Sequence, residues 1–235
     1  MARIKLITFD LDDTLWPVTE VIIRAEACCQ QWLQAHYPDA AQVLAGEQLR
    51  QIQQQLLSRQ PQYRHNLSAL RRDTLAQGFQ QASYSPAQSR QLAQQAFRVF
   101  HDARNEVCFF PGTLDTLAAL AEHYRLGALS NGNADLKKIG VASLFDFHHS
   151  AESVGRRKPA ADMFYAALRS AGVAAAECVH VGDHPDEDVA AAQNAGFHAV
   201  WANPLTRRWP ADRDPHPHQI NQLAQLAPLL DQFHE

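Results

Sequence analysis

The 235-residue sequence predicts an α/β fold, in which a parallel sheet covered by helices carries a helical domain inserted after its first strand. A short apolar run at residues 4–9 comes first. Residues 17–104 are rich in Gln, Ala, Leu and Arg, and their apolar residues recur at the three- and four-residue spacing of helices. From residue 109, apolar strands alternate with helices, which is typical of a parallel sheet with right-handed crossovers.

The inserted region reads as four amphipathic segments. These are TEVIIRAEACCQQWLQAHY, AAQVLAGEQLRQIQQQLL, LSALRRDTLAQGF and PAQSRQLAQQAFRVFHD. Prolines stand near their joints, where helices start or stop, at Pro17, Pro38, Pro61 and Pro86. We therefore predict an α/β core domain of residues 1–16 and 105–235 and a helical domain of residues 17–104. A two-stranded linker of this kind can hinge, which suggests a lid.

The alternating region supplies the rest of the sheet. Its predicted strands are RLGALS, FHHSA, CVHVG and HAVWA, and its predicted helices are LDTLAALAEHY, ADMFYAALRSAG and DVAAAQNAG. Gly172 and Gly196 fall where helix C-caps belong. Since the strands are parallel, their carboxyl ends meet at one edge of the sheet.

Composition excludes several classes of protein. The net charge is −4 without any Lys/Arg block, so we expect neither a nucleic-acid surface nor an anionic-membrane surface. Four cysteines without a CxxC motif favour reduced thiols in the cytoplasm. The N-terminal apolar run is too short for a signal peptide, and no stretch is long enough to span a bilayer. DPHPHQ, residues 214–219, is interpreted as a Pro-rich loop. The oligomeric state is not indicated.

Polar residues follow three of the predicted strands. ITFDLDDTLW places three carboxylates within residues 10–13, and like charges this close repel one another. Asp10 closes the first strand, Ser130 and Asn131 lie at the end of RLGALS, and Asp183 follows CVHVG. Each also has a plain structural reading, as a turn residue, a helix cap or a loop acid. Their coincidence at the edge where open α/β sheets bind ligands favours a functional site.

This set of residues suits phosphoryl transfer through a covalent carboxylate. Asp10 would attack phosphorus and form an aspartyl phosphate. Asp12 would protonate the leaving alkoxide and then deprotonate the hydrolytic water. Mg²⁺ would neutralise the crowded anions, with Asp10, the backbone carbonyl of Asp12 and Asp183 as its protein ligands.

Two further residues complete the predicted site. Lys158 precedes Pro159, a residue favoured at the first position of a helix, so Lys158 would stand extended at a helix entrance and balance the charge of Asp10 and phosphate. The alternative is a solvated basic loop. Acids at 186–188 suit a helix N-terminus, and Asp188 is expected to fix Lys158 or a metal-bound water.

Together these residues match a known sequence pattern. DLDDT at 10–14, SNG at 130–132, KP at 158–159 and GDHPDED at 182–188 resemble, in order, the four motifs of the haloacid-dehalogenase-like (HAD) hydrolase superfamily. The resemblance implies a Rossmann-like core with an α-helical cap inserted after the first strand. The implied roles are nucleophile for Asp10, acid/base for Asp12, phosphate binder for Ser130, charge balancer for Lys158 and Mg²⁺ ligand for Asp183.

Local similarity narrows the expected substrate. FDLDDTLW with SNGN looks most like small-molecule phosphatases, including flavin mononucleotide phosphatase-like proteins, so we expect a nucleotide, flavin or sugar phosphate as the partner. Asn131 would add a phosphate contact through its amide. The His184-Pro185 pair departs from the small residues often seen there. Candidate substrate contacts are Trp16, Arg64, His65, Arg71 and Arg72. The alternative for Trp16 is hinge packing, and the alternative for Arg71 and Arg72 is a solvated helix face.

Other functions stay open at this point. A 2-haloacid dehalogenase of the same superfamily would also use Asp10, but it needs no metal and usually lacks the second motif acid, so Asp12 argues against it. A phosphomutase shares all four motifs. A phosphorylatable signalling module would carry its acceptor after a third strand, whereas residues 50–60 form a Gln-rich helical segment. A catalytically silent binding protein would not need every chemical position filled.

Overall fold

The computed structural model describes residues 3–211 and 218–233. The chain divides into two compact units, an α/β unit of Met1–Val18 with Val107–Glu235 and a helical unit of Thr19–Glu106. At both points where the chain passes from one unit to the other, the observed boundary lies two residues after the predicted one. The role of the helical unit as a cap stays a prediction.

The α/β unit contains one sheet of six parallel strands in the order β3-β2-β1-β4-β5-β6. The strands are β1 Leu6–Phe9, β2 Arg125–Ser130, β3 Phe147–Ser150, β4 Cys178–Gly182, β5 His198–Ala202 and β6 Gln219–Ile220. This arrangement confirms the predicted α/β class. Strand β6 was not predicted, because two residues are too few to show a strand pattern. Since Phe9 pairs with both Ala128 and Val181, β1, β2 and β4 end side by side.

Five helices build the helical unit. They are α1 Val18–His36, α2 Pro38–Val43, α3 Gly46–Arg59, α4 Leu67–Gln81 and α5 Pro86–Arg104. Their apolar faces enclose a core that includes Leu33, Phe79 and Phe100. The prediction of one helix across AAQVLAGEQLRQIQQQLL was wrong, because the chain leaves the helical path after Val43. It resumes at Gly46, whose φ of +52° is the left-handed region that favours glycine.

The α-helices described in the α/β unit have at most 10 residues. They are α6 Thr113–Ala121, α7 Leu136–Ile139, α8 Ala151–Val154, α9 Asp162–Ala171, α10 Ala191–Asn194 and α11 Leu226–Leu230. A wide π-type turn, Pro185–Ala190, precedes α10. Gly172 ends α9 at a φ of +65°, as predicted. The prediction that Pro159 opens the following helix was wrong, because α9 begins at Asp162 and residues 158–161 form a turn.

Three remaining predictions concern the whole chain. In the part of the chain that the structure describes, no helix is both long and apolar enough to cross a membrane. All four cysteines are free thiols. Residues 214–217 of the predicted Pro-rich loop lie outside the described residues, and Gln219 begins β6.

Candidate active site

The carboxyl ends of β1 and β4 bring the predicted acids together. The backbone N–H of Asp10 donates to the carbonyl of Val181 at 2.9 Å, which ties the end of β1 to β4. Asp10, Asp183 and Asp188 each offer one carboxylate oxygen, and these oxygens lie within 4.8 Å of one another. The sequence prediction that Asp10 and Asp183 meet at one sheet edge therefore agrees with the structure.

Lys158 contacts two of these acids and is only 1 % exposed. Its Nζ donates to Asp10 Oδ1 at 2.8 Å, to Asp188 Oδ1 at 2.5 Å and to the carbonyl of Leu129 at 2.7 Å. All three ammonium protons thus have acceptors. Burial alone would lower the pKa of Lys158, but Asp10 and Asp188 raise it above its usual range, so the side chain is an ammonium. The alternative of a solvated basic loop does not hold for this lysine.

Asn131 fixes the backbone of Lys158. Its Oδ1 accepts from the Lys158 N–H at 2.7 Å, and its Nδ2 donates to the Lys158 carbonyl at 3.0 Å and to Glu187 Oε2 at 2.8 Å. Arg157 also pairs with Glu187, at 2.8 Å. The structure therefore gives the Asn131 amide different partners from the predicted phosphate contact. Both ends of the amide hold Lys158 in place.

Asp188 contacts Lys158, one of the two partners predicted for it. The side chain is 2 % exposed, and Oδ1 accepts from His180 Nε2 at 3.1 Å in addition to Lys158. Oδ2 accepts from the His184 backbone N–H at 2.9 Å. Burial alone would raise the pKa of Asp188, but Lys158 and His180 hold it well below its usual range. Asp188 is thus a carboxylate with hydrogen bonds at both oxygens.

Burial raises the pKa values of the other two acids, Asp10 and Asp183. Burial raises the pKa of Asp10 well above its usual range, and Asp188 and Asp183 raise it further against the opposing effect of Lys158. Burial, with a contribution from Asp188, also raises the pKa of Asp183 to about 7, although Arg207 opposes the change. A further cation at this site would favour the ionised forms of both carboxyls.

Arg207 is a residue of this site that the sequence did not reveal. Its Nη1 donates to Asp183 Oδ2 at 2.5 Å, and its Nη2 donates to Asp13 Oδ2 at 2.5 Å. Asn203 holds the backbone of Arg207 by accepting from its N–H at 2.7 Å and donating to its carbonyl at 2.9 Å. Asp13 Oδ1 also accepts from the Val18 N–H at 2.8 Å, at the start of α1. NPLTRRW shows only loop composition, so no sequence signal predicts this contact.

The remaining predicted residues of this unit have local partners. Asp12 Oδ1 accepts from Trp16 Nε1 at 2.8 Å. Trp16 is fully buried and packs edge-on against Phe109 at 5.4 Å, which favours its packing alternative over a substrate platform. Ser130 Oγ accepts from the Gly132 N–H at 2.9 Å, so this hydroxyl shapes the loop that follows β2.

Four of the predicted substrate contacts lie in the helical unit. Arg71 pairs with Glu26 at 2.7 Å and lies over the Phe100 ring at 3.4 Å. Arg72 lies over the Phe97 ring at 5.0 Å. Arg64 and His65 lie in the turn Pro61–His65. Both arginines Arg71 and Arg72 therefore stack on aromatic rings, and a substrate contact from any of the four stays a prediction.

The donor set of the site fits Mg²⁺. Asp10 and Asp183 supply carboxylate oxygens within one small space, and hard oxygen ligands are those that Mg²⁺ prefers. The raised pKa values of both groups indicate a deficit of positive charge that a divalent ion would relieve. Asp188 is less suited as a ligand, because Lys158, His180 and a backbone N–H already occupy it.

Comparisons with known proteins found a matching family and several named relatives. A sequence model of the family described as haloacid dehalogenase-like hydrolase matches residues 4–196. The 5-amino-6-(5-phospho-D-ribitylamino)uracil phosphatase YigB of Escherichia coli (strain K12) is 32 % identical over 234 residues, 98 % of both chains. N-acylneuraminate-9-phosphatase of Mus musculus is 25 % identical over 98 % of this chain and 95 % of its own length.

The similar solved structures include a protein that is named as a dehalogenase rather than a phosphatase. The crystal structure of a 2-haloacid dehalogenase from Pseudomonas syringae pv. Tomato DC3000 superposes with a TM-score of 0.93 at 43 % identity, covering 98 % of this chain and 99 % of that one. The similar proteins thus include phosphatases and a protein named as a dehalogenase.

Proposed function

The chain belongs to the haloacid dehalogenase-like hydrolase family, and we propose that it is a Mg²⁺-dependent phosphatase that hydrolyses small phosphate monoesters through an aspartyl phosphate at Asp10. One observation carries the proposal. The Asp10 carboxylate lies 2.8 Å from a buried ammonium, while Asp183 offers an oxygen to the same space and Asp12 follows two residues later. The curated relatives that align over nearly the whole chain are phosphatases.

The proposed reaction has two steps. In the first, a carboxylate oxygen of Asp10 attacks phosphorus, the bond from phosphorus to the ester oxygen breaks, and Asp12 gives its proton to the leaving alkoxide. In the second, Asp12 takes a proton from water, and the water oxygen attacks phosphorus. Inorganic phosphate leaves and the Asp10 carboxylate is restored. Lys158 holds Asp10 in place throughout and balances negative charge near the phosphoryl group.

The proposed metal ligands are Asp10, the backbone carbonyl of Asp12 and Asp183. When bound, Mg²⁺ would neutralise the crowded carboxylates and draw charge from the phosphoryl oxygens. Ionisation of Asp10 is the step that burial opposes, because burial raises the pKa of this nucleophile.

The choice of substrates follows the relatives. We propose that the phosphate ester named for the Escherichia coli relative be tested first, together with N-acylneuraminate 9-phosphate, flavin mononucleotide, nucleotides and sugar phosphates. The helical unit is proposed to act as a cap that selects among them. We also propose a cytoplasmic location, because all four cysteines are free thiols.

A second candidate is a 2-haloacid dehalogenase, favoured by the name of the Pseudomonas syringae protein. A dehalogenase would form a carbon ester at Asp10 and expel halide, a leaving group that needs neither a proton from Asp12 nor a divalent cation. The presence of Asp12 and Asp183 favours the phosphatase.

Two assays separate these candidates. Turnover of p-nitrophenyl phosphate is measured with Mg²⁺ and with EDTA for the wild type, Asp10→Asn and Asp12→Asn. The phosphatase proposal expects turnover that needs Mg²⁺ and both acids. Metal-independent halide release from a 2-haloacid, without phosphate release, would contradict it. Transfer of the phosphoryl group to a second substrate hydroxyl without inorganic phosphate would instead indicate a phosphomutase.

An oxygen-18 experiment reports the bond that water breaks. In a single turnover in labelled water, a phosphatase places the label in inorganic phosphate, because water attacks phosphorus. A dehalogenase places it in the Asp10 carboxyl, because water attacks the ester carbonyl. Label in the peptide that contains Asp10 would therefore overturn the phosphatase proposal.

A further inference from the structure

A histidine lies within the buried part of the sheet, beneath the site. His180 occupies the middle of β4 and is 1 % exposed, in a strand whose other residues are also buried. Its Nε2 is 3.1 Å from Asp188 Oδ1, and its Nδ1 is 2.9 Å from Thr8 Oγ1. Thr8 lies directly opposite His180 in the register of β1 with β4.

The partners of His180 define its tautomer. Burial lowers the pKa of His180 despite the hydrogen bond to Asp188, so the imidazole is neutral. The Asp188 carboxylate can only accept a hydrogen bond, so Nε2 carries the proton and donates it. Nδ1 then accepts from the Thr8 hydroxyl at 2.9 Å, which is shorter than the 3.4 Å from the same hydroxyl to its other acceptor, the Val179 carbonyl. The threonine thereby selects the tautomer that can serve Asp188.

We propose that His180, oriented by Thr8, is a positioning residue that fixes Asp188 and, through it, the ammonium of Lys158 against Asp10. The contacts form one continuous chain. His180 and Lys158 share Asp188 Oδ1, and Lys158 Nζ lies 2.5 Å from that oxygen and 2.8 Å from Asp10 Oδ1. This inference rests on the proposed function, because it assigns a role in holding the nucleophile's partner.

The surroundings leave Asp188 little freedom on its other side. A Cβ at Gly182 would lie 2.3 Å from Asp188 Cγ, so the carboxylate packs directly on the backbone of β4. Phe164 meets the His180 ring edge-to-face at 5.1 Å. An apolar residue at position 180 would fill the same space. It would leave one side of Asp188 without a donor, and the rotation of this carboxylate sets the position of Lys158.

The test is a double-mutant cycle of His180→Leu with Asp188→Asn. We expect His180→Leu to lower kcat for a phosphate ester about 10- to 100-fold with KM nearly unchanged, since small misplacements of a catalytic array have effects of this size. In the Asp188→Asn background, His180→Leu should have almost no further effect, because its route to Lys158 is gone. Losses that multiply in the double variant would overturn the proposal.

Conservative variants distinguish positioning from packing. His180→Gln keeps an N–H donor that can reach Asp188, so it should recover part of the lost kcat. Thr8→Val keeps the shape of the residue but removes the donor to Nδ1, so it should lower kcat, and Thr8→Ser should restore it. His149→Gln, on the edge strand β3 where His149 pairs with Ser170, is the control and should leave kcat unchanged. If His180→Leu fails to fold, the cycle is run with Thr8→Val.

A spectroscopic measurement separates this inference from the proposed function. Long-range ¹H–¹⁵N spectra of the wild type should show His180 neutral, protonated at Nε2, and Thr8→Val should shift the Nδ1 signal. An Nδ1–H tautomer or a charged ring would overturn the inference even in an active enzyme. A wild type that hydrolyses no phosphate ester but shows the expected tautomer would overturn only the proposed function.

Discussion

Two ion pairs, one in each unit of the molecule, place charge in opposite environments. In the helical unit, Arg71 and Glu26 form an ion pair whose side chains are 20 % and 42 % exposed. In the α/β unit, Lys158 and Asp188 form one whose side chains are 1 % and 2 % exposed. Water can still solvate the first pair, whereas the second depends entirely on the partners around it. The second, dry environment is the one next to Asp10, the proposed nucleophile.

Local rules of folding hold in the helical unit. Asn66 caps α4 by accepting from the Ala69 N–H at 2.8 Å, and Ser85 with Gln88 forms a capping box at the start of α5. At the strand edge, by contrast, Asp10 and Asp183 are buried carboxyls with raised pKa values. Proteins depart from such rules mainly at functional sites.

The largest expected effect comes from removing the buried cation. Lys158→Met should lower stability by about 3–5 kcal/mol, because Asp10 and Asp188 lose their shared partner in a dry environment. Turnover should fall below detection. Urea unfolding in EDTA measures the stability.

The matched variant in the helical unit is Arg71→Met. It should cost about 1 kcal/mol or less, because the pair with Glu26 is solvated and Met keeps contact with Phe100. Equal losses in Lys158→Met and Arg71→Met would contradict the contrast between the units.

Asp183→Asn should stabilise the metal-free protein by about 1–3 kcal/mol above pH 7. The pKa of Asp183 is raised to about 7, so between about pH 4 and 7 the folded protein holds this proton more tightly than the unfolded chain does. Stability from this group is therefore lost as pH rises through that window. The gain of Asp183→Asn should grow from nothing near pH 4 to its full value above pH 7, as measured by urea unfolding in EDTA.

The same variant should lose stabilisation by Mg²⁺. The wild type should show a rise in Tm with added Mg²⁺, and Asp183→Asn should show little. A variant that gains as much Tm from Mg²⁺ as the wild type would exclude Asp183 as a ligand.

Arg207→Gln should tighten Mg²⁺ binding by about 3- to 10-fold at a pH well above 7, where Asp183 is ionised. The guanidinium occupies Asp183 Oδ2 and opposes a nearby cation, and its side chain is 46 % exposed, so the effect is moderate. Calorimetric titration with Mg²⁺ measures the affinity. Weaker binding in the variant would show that Arg207 supports the metal site.

The smallest effect is expected at a helix start. Ser85→Ala removes the cap of α5 and should cost about 1 kcal/mol of stability. Its kcat should equal that of the wild type. Ser85→Thr, which keeps the hydroxyl, is the control, and a fall in kcat for Ser85→Ala alone would show that α5 affects the reaction.

The sequence predicted the sheet better than its connections. RLGALS, CVHVG and HAVWA are strands with the predicted bounds, because apolar runs of this length between turn residues suit strands and are too short for typical helices. Gly46 divides a predicted helix, and Pro159 precedes a turn rather than opening α9. In both places a local backbone conformation prevails over a periodic pattern that continues across it.

The same limit applies to the site. Contacts made by residues at the ends of paired strands, such as Asp10 with Asp183, follow from topology. Arg207 depends on a loop that Asn203 holds, and Asn131 depends on a backbone segment that lies 27 residues later. No local pattern encodes either contact. His180 looked like an ordinary strand residue, because its partners lie on another strand and in another turn.

The proposed aspartyl phosphate is tested most directly by following Asp10 during turnover. Wild-type protein is mixed with a good phosphate ester and Mg²⁺, quenched, reduced with borohydride to convert an acyl phosphate into an alcohol, and analysed by peptide mass spectrometry. The account predicts modification at Asp10 and none in Asp10→Asn, which should also be inactive. Continued hydrolysis by Asp10→Asn, with the wild-type residue never modified, would contradict it.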